Sequence, residues 1–592
     1  MQDKQTAAQA KKQRIALEAA RKKEERLAAE RAAQAKNDAV FLTALRIIFA
    51  ASFLFAALYY ELACAAAAVA LMGLLIWRLK EKRPLCVRLN AATAAIGLIW
   101  LFYLLSAFWA VDRGLAFWGA VKYLPAALFA LCALQCDANG RRQILSDIPL
   151  IGAVMTVASF VLGFIPVFSD TFFVNGRLAG FFAYPNTFAC FVLIGIVILI
   201  AAKKEYKYKW LSAVCFAILL FALLEAGSRS VYIIAVPAII AAVIVGRRKK
   251  LWWFAAAGAA AALITVAFML FADFGAAERI TSLSASSSTL LGRLLYWKDV
   301  LPVILKHPFG LGYLGYYTSQ GSFQSGLYSV RWVHNDLLQL FADVGWIPAA
   351  AALIAAVKAI FSKRLNAAVR IVLLVLLAHC MFDFDLEFVS MYFVLILCLD
   401  LEGGKEAQIR PAAAALLPFA CAAAALSVWI GISSTLTYAD FHSAAAKVYP
   451  WNTLSNAELL TQTDDIDELE ELADKIIRQN EYIALAWNAK ALVSYSNGVF
   501  GTYITLKEQA ISLNRYSIDE YEDYFEKLAV GVELYTEAED EDSAQVCLEK
   551  IEGIQDMLDE LKEQTSALAF KLADEPVFTM SDEYYEYLEE MY

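Results

Sequence analysis

Histidine is scarce in this chain, with four in 592 residues: His307, His334, His379 and His442. The ten cysteines contain no CxxC pair, and all but Cys547 sit in or beside apolar segments, so they indicate neither a zinc site nor a disulfide framework. They read as small apolar fillers of helices. An acidic metal box is also missing from the polar segments, since Asp383 and Asp385 are two carboxylates at most, a poor cage for a hard divalent ion. Charge is thin, at 19% of residues, while 60% are hydrophobic and the mean hydropathy is +0.53. Soluble domains average roughly 45–50% apolar residues, so an ordinary soluble enzyme is excluded and a membrane protein is expected.

The net charge of −9 conceals a division. From Ser433 onward 35 acidic residues face 10 basic ones, about −25, which leaves about +16 for the rest of the chain. Residues 1–38, with KKQRIALEAARKKEERLAAERAAQAK, predict a charged, solvent-exposed helix with a basic excess. It is too long and too acidic for the n-region of a signal peptide, so the apolar segment after it is expected to stay as an anchor.

Apolar runs of the length needed to cross a bilayer recur from 40 to 432. They fall near 40–60, 62–78, 91–110, 115–135, 145–167, 181–202, 210–225, 230–246, 251–272, 335–360, 367–382, 386–400 and 411–432, about thirteen spans. Basic loops stay on the cytoplasmic side. The N-terminus, RLKEKR (78–83), Arg141–Arg142, KKEYKYK (203–209), GRRKK (246–250), SKRLNAAVR (362–370) and the loop of Lys405 and Arg410 then all share that side. The opposite loops, among them 168–180, EAGSRS, the long stretch 273–333 and FDFDLE, are expected outside, and His334 with them. The expected organisation is a cytoplasmic helix (1–38), a multi-pass domain (39–432) whose longest outward loop is 273–333, and an acidic extracytoplasmic domain (433–592). In the last, YIALAWNAKALVSYSNGVFGTYITLKEQAISLN reads as a tetratricopeptide-like helix pair, with a generic helical domain as the alternative.

Several outward polar residues ask for a reason, because an ionisable group at a membrane helix is costly unless partnered or useful. Arg177 precedes a span in GRLAGFFAYPNTFA, Arg229 sits in the short turn EAGSRSVY, and Arg293 leads an amphipathic helix in GRLLYWKDVLPVILKHPFGLGY. Singly, each arginine reads as an interface anchor, His307 as part of a turn, and Asp383 and Asp385 as caps of helix ends. In VRWVHNDLLQLFADVGW, Asn335 and Asp336 are expected at a helix N-terminus, where their oxygens meet free backbone N–H groups. His334 gains little from such a role. Together, these residues describe a cationic cavity with one histidine.

The order GRLAGFFAYPN, GSRS before a span, then GRLLYW…HPFGLGY…HND…ADVGW is similar to the O-antigen ligase and polymerase family of bacterial membranes, strongly over about 175–350. The resemblance implies a GT-C-like, all-α polytopic membrane fold. It also implies transfer of a glycan from undecaprenyl diphosphate to an acceptor at the outer face of the cytoplasmic membrane, without a metal ion or other cofactor. On that pattern Arg229 and Arg293 would bind the donor diphosphate and His334 would act as base, with Arg177 and Asn335 as further substrate contacts. The expected partners are the lipid-linked donor, a glycan, lipid or protein acceptor and membrane lipids, and no nucleic acid. The chemistry agrees with the resemblance. Guanidinium groups suit a departing diphosphate, and an attacking hydroxyl needs a base. A lipid-linked glycan polymerase remains the alternative of the same family. A lipid-linked glycan transporter is the alternative of another class, although the sequence lacks the duplication common in transporters. A membrane scaffold recruiting partners through its acidic end is the non-enzymatic one.

Overall fold

A backbone in lipid must satisfy its own hydrogen bonds, and a helix does so within one segment. The computed structural model describes residues 2–201, 209–246, 288–572 and 574–591, and these are mostly helical. The first body of helices comprises α1 (Gln2–Ser52), α2 (Glu61–Lys80), α3 (Ala91–Leu105), α4 (Arg113–Leu134), α5 (Ala138–Leu145), α6 (Ile148–Leu162), α7 (Pro166–Phe172), α8 (Pro185–Ala201), α9 (Lys209–Ala226) and α10 (Arg229–Gly246). Then follow α11 (Ser288–Lys306), α12 (Gly315–Ser319), α13 (Asp336–Val344), α14 (Trp346–Phe361), α15 (Ala367–Cys380), α16 (Val389–Cys398) and α17 (Ala413–Tyr438).

Among the described residues, six helical segments are long and apolar enough to cross a bilayer: Glu61–Lys80, Ala91–Phe108, Arg113–Leu134, Ala138–Leu162, Arg229–Gly246 and Ala413–Tyr438. Five shorter apolar helices accompany them, including α8 and Val389–Cys398. Along the stretches where about thirteen spans are expected, the described residues thus hold a mixture of long and short apolar helices. The span expected at 251–272 lies outside the described residues. Two expected spans change shape. The run 40–60 belongs to a helix continuous with the charged N-terminus, and it stops at Ser52 before a turn in which Ala56, Ala57 and Leu58 have positive φ. The run 335–360 is broken at Gly345 (φ 79°) into α13 and α14.

The helical fold expected from the sequence is accompanied, among the described residues, by two small antiparallel ribbons. Strand β1 (Leu85–Leu89) pairs with β4 (Lys405–Ile409), and between them in sequence β2 (Phe173–Val174) pairs with β3 (Arg177–Leu178). The first ribbon joins two loops that the charge pattern places on one side, and Arg88 pairs with Glu406 across it.

Helix α8 is the centre of one half of the body. It is buried from Thr187 to Ala201 and packs against α6, α9, α10 and α15. Helix α4 is the centre of the other half, against α2, α3, α16 and α17. Within α4, Lys122 is buried and ion-paired to Glu387 at 3.0 Å. The rings of Tyr59, Tyr313 and Trp332 surround its ammonium at 4.6, 5.4 and 5.2 Å from their centroids. A buried charge needs such partners, because removing either leaves the other uncompensated.

The acidic end forms α18 (His442–Val448), α19 (Thr453–Leu460), α20 (Ile466–Gln479), α21 (Ala484–Ser496), α22 (Phe500–Leu513), α23 (Ile518–Glu537), α24 (Glu541–Gln564) and α25 (Asp582–Met591). Two helices, α21 and α22, form in the stretch YIALAWNAKALVSYSNGVFGTYITLKEQAISLN, with Phe500 and Tyr503 in an apolar cluster that extends to α23 and α24. The last apolar helix runs past the expected boundary at Ile432 to Tyr438. The acidic end also rests on the first body. Ser566 N donates to Ser325 O at 2.8 Å, Ala569 packs with Leu295 and Tyr328, and Tyr449 Oη donates to Gly114 O at 3.0 Å.

Candidate functional site

Two glycine-bearing stretches lock together and set the position of α13. Leu311 N donates to Ala342 O at 2.6 Å, Gly312 N to Asp343 O at 3.0 Å, and Trp346 N to Pro308 O at 2.9 Å. The backbones approach so closely that a Cβ on Gly310 would stand 2.4 Å from Asp343 O, and one on Gly345 2.3 Å from Pro308 O. Both residues also have positive φ, so glycine is required twice over. The turn HPFGLG is thus a structural clamp on ADVGW. His307 closes it by accepting Gly310 N at 2.9 Å, the turn role expected of it. Burial and the neighbouring Lys306 hold the His307 pKa below its ordinary value.

His334 stands just before α13 with φ 54°, a left-handed conformation that costs of order 1–3 kcal/mol and persists where the surroundings impose it. Asn335 does the imposing. Its Oδ1 accepts Leu337 N and Leu338 N, both at 3.1 Å, and its Nδ2 donates to Met381 O at 3.0 Å. Asn335 is the helix cap expected of it, and it is buried with both ends of its amide engaged in the fold. Asp336 does not cap. Its carboxylate accepts Leu386 N at 3.2 Å, tying α13 to the FDFDLE loop.

That loop is the centre of the site. Asp383 is fully buried, and its Oδ1 lies 3.3 Å from His334 Nδ1 and accepts Tyr184 Oη at 2.8 Å. Its Oδ2 accepts Arg293 Nη2 at 3.1 Å and Asn186 Nδ2 at 2.9 Å. Burial raises the Asp383 pKa, but the His334 hydrogen bond and the charges of Arg293 and the two histidines outweigh it and hold the group below the usual carboxylate range. Asp383 is therefore no helix cap, and neither is Asp385. Asp385 Oδ2 meets His379 Nδ1 at 2.6 Å, and its Oδ1 accepts Thr187 Oγ1 at 2.7 Å. The His334 ring lies edge-on to Phe384 at 4.9 Å and keeps a fifth of its side chain exposed.

The arginines divide. Arg293 is buried, and beyond its bond to Asp383 its Nε has no hydrogen-bond partner. Arg177 donates Nε to Ala226 O at 2.8 Å and Nη2 to Asn186 Oδ1 at 2.7 Å, so it braces the end of α9 and the Asn186 side chain. Arg229 is half-buried at the first residue of α10 and has no ion-pair partner among the described residues. Of the residues singled out in the sequence, His334 and Arg293 meet on one carboxylate, and Arg177 reaches it through Asn186. Among the described residues, Arg229 is linked to the same loop through its neighbour Ser230, whose Oγ lies 3.1 Å from His379 Nε2.

Sequence reasoning missed Asp383, Asn186, Tyr184 and His379. One signal for them is the alternation of acidic and apolar residues in FDFDLE. It sends Asp383 toward His334, Asp385 toward His379 and Glu387 toward Lys122. Among the described residues, two buried sets have metal-ligand character, Cys190, His379 and Asp385, and Asp336, Cys380 and Asp385, each with its ligand atoms within 4.8 Å of one another. His379 and Asp385 in them are already bonded to each other, to Ser230 and to Thr187.

Chemically, the arrangement holds a histidine by one ring nitrogen on an ionised carboxylate, beside guanidinium groups. Such a site can take a proton at the other nitrogen and can stabilise an anion nearby. Neither a curated protein nor a solved structure matches the chain. Residues 213–354 match the O-antigen ligase family, a stretch that includes Arg229, Arg293, the glycine clamp and His334 and stops short of Asp383. The chain carries the O-antigen ligase domain of that family at residues 213–354.

Proposed function

We propose that this protein transfers a glycan from undecaprenyl diphosphate to a hydroxyl acceptor at the outer face of the cytoplasmic membrane, with His334 as the base. The O-antigen ligase domain points to lipid-linked glycan transfer. The observation that carries the mechanism is the His334–Asp383 contact. A proton on Nδ1 donated to the carboxylate leaves Nε2 free to accept, the orientation a general base needs. The acceptor hydroxyl gives its proton to Nε2 while its oxygen forms a bond to the anomeric carbon. The bond from that carbon to the diphosphate oxygen breaks, and the electron pair leaves with the phosphate. Arg229 and the free Nε side of Arg293 meet the charge that develops there. Arg177 holds Asn186 and the Arg229 turn in place. The basic loops joined by the β1–β4 ribbon face the cytoplasm in this reading, and the acidic end lies outside, where it selects the acceptor.

Transfer of a radiolabelled undecaprenyl-diphosphate glycan by purified protein in vesicles tests the reading. Wild-type protein should form a chelator-insensitive product that His334→Ala does not form. Equal rates in the two proteins would end it. If the product grows by repeated addition to lipid-linked glycan, the polymerase form of the same chemistry holds.

A further inference from the structure

The buried histidine that the proposed transfer does not use is His379. It lies in the last turn of α15, wholly buried, between two elements far apart in sequence. Nδ1 meets Asp385 Oδ2 at 2.6 Å, and Nε2 meets Ser230 Oγ at 3.1 Å. Ser230 Oγ in turn lies 3.2 Å from Ser228 Oγ, and Ser228 is buried. Arg229 stands between these two serines. The turn that carries it needs Gly227 at φ 57°, and its N-terminal side is held by the bond from Arg177 Nε to Ala226 O. The turn is therefore fastened on both flanks, while the guanidinium of Arg229 is left half-buried and unpaired among the described residues.

A long, flexible cation binds an anion well only when little conformational freedom remains to be lost. The hydroxyl of Ser230 and the imidazole of His379 supply that restraint. With its Nδ1 proton given to Asp385, His379 accepts the Ser230 hydroxyl at Nε2, and the Ser230 oxygen then accepts from Ser228. Asp385 is two residues from Asp383, the carboxylate that holds His334. One short loop thus fixes both the base and the turn of the anion-binding arginine.

We propose that Ser230 and His379 are positioning residues that aim Arg229 at the donor diphosphate. This rests on the reading of Arg229 as a diphosphate ligand.

The test is binding of undecaprenyl diphosphate to the full chain in lipid nanodiscs, with uncharged undecaprenol as the control. Ser230→Ala should weaken diphosphate binding about tenfold, the scale of one well-placed charged hydrogen bond. It should leave undecaprenol binding and the melting temperature unchanged, and His379→Gln should follow it. Ser230→Thr, which keeps the hydroxyl, should bind like wild type. Combined with Arg229→Ala, the serine change should add nothing, because residues acting through one group are not additive. Full additivity, normal binding by Ser230→Ala, or a threonine variant no better than alanine would each overturn the proposal. Normal binding by Arg229→Ala alone would instead remove the diphosphate role of Arg229, and this positioning role with it.

Discussion

Arg293 and His334 share one carboxylate: the guanidinium sits 3.1 Å from Oδ2 of Asp383 and the imidazole 3.3 Å from Oδ1. The cation therefore does two things at once. It helps to keep Asp383 ionised beside the histidine, and in the proposed transfer it brings positive charge to the place where a phosphate would leave.

If His334 is the base, His334→Ala should lower the transfer rate by about 10²–10⁴-fold, the usual worth of general-base assistance. Donor binding should stay close to wild type. A rate loss well under tenfold in vesicle transfer assays would return His334 to an ordinary helix-end residue.

Asp383→Asn keeps the shape and loses the charge. Without a carboxylate to fix the ring tautomer, transfer should fall by about 100-fold or more, by analogy with orienting carboxylates in other base sites. The acid stability of the fold should change as well. The Asp383 pKa lies below its ordinary unfolded value of about 3.9, so its contribution is fully present above that pH and is lost as the pH falls further. Melting temperature in detergent should therefore drop more steeply below about pH 4 in wild type than in Asp383→Asn. Parallel profiles would show that Asp383 is not held ionised by its neighbours.

Arg229→Lys and Arg293→Lys each keep the charge and lose the planar fork. Transfer should fall by about tenfold or more in each while protein levels hold. The two should differ in one respect, because Arg293 also holds Asp383. Only the Arg293 variant should alter the acid-stability profile. Near-normal transfer in both would remove the diphosphate role.

Lys122→Met strands Glu387 inside the helical body. Breaking such a pair costs about 3–5 kcal/mol, and replacing both partners restores most of it. The single variant should therefore melt far below wild type, and Lys122→Met with Glu387→Gln should recover. A single variant that melts normally would mean that the pair is not desolvated.

Ala569→Glu places a charge against Leu295 and Tyr328, where the acidic end meets the helix of Arg293. In the proposed division of labour, slow hydrolysis of the donor should persist while transfer to the acceptor falls. Loss of both in a protein with wild-type melting behaviour would tie the acidic end to the chemistry itself.

Much of the plan was legible because lipid imposes simple rules. Long apolar runs such as Glu61–Lys80 and Arg113–Leu134 read directly as helices. The break at Gly345 was hidden because apolar residues flank it, and only the close approach of Pro308 shows why the helix stops there. His334 and the arginines stood out as charges with no reason to be near a membrane. Asp383 did not, because a carboxylate between two apolar helices has a ready explanation as a cap. Its partners come from three separate stretches of sequence, around Tyr184 and Asn186, Arg293, and His334, and no local pattern announces that convergence.

The β1–β4 ribbon has a consequence for biogenesis. Arg88 and Glu406 are 318 residues apart, so the ribbon cannot close until nearly the whole multi-pass region has left the ribosome. Contacts of such sequence separation form late, because the loop between them must be closed first. The early helices must wait in the bilayer with Leu85–Leu89 unpaired, an open strand edge that other chains could capture. Insertion of the early helices and closure of the ribbon are thereby separated in time, since the ribbon waits for Lys405–Ile409.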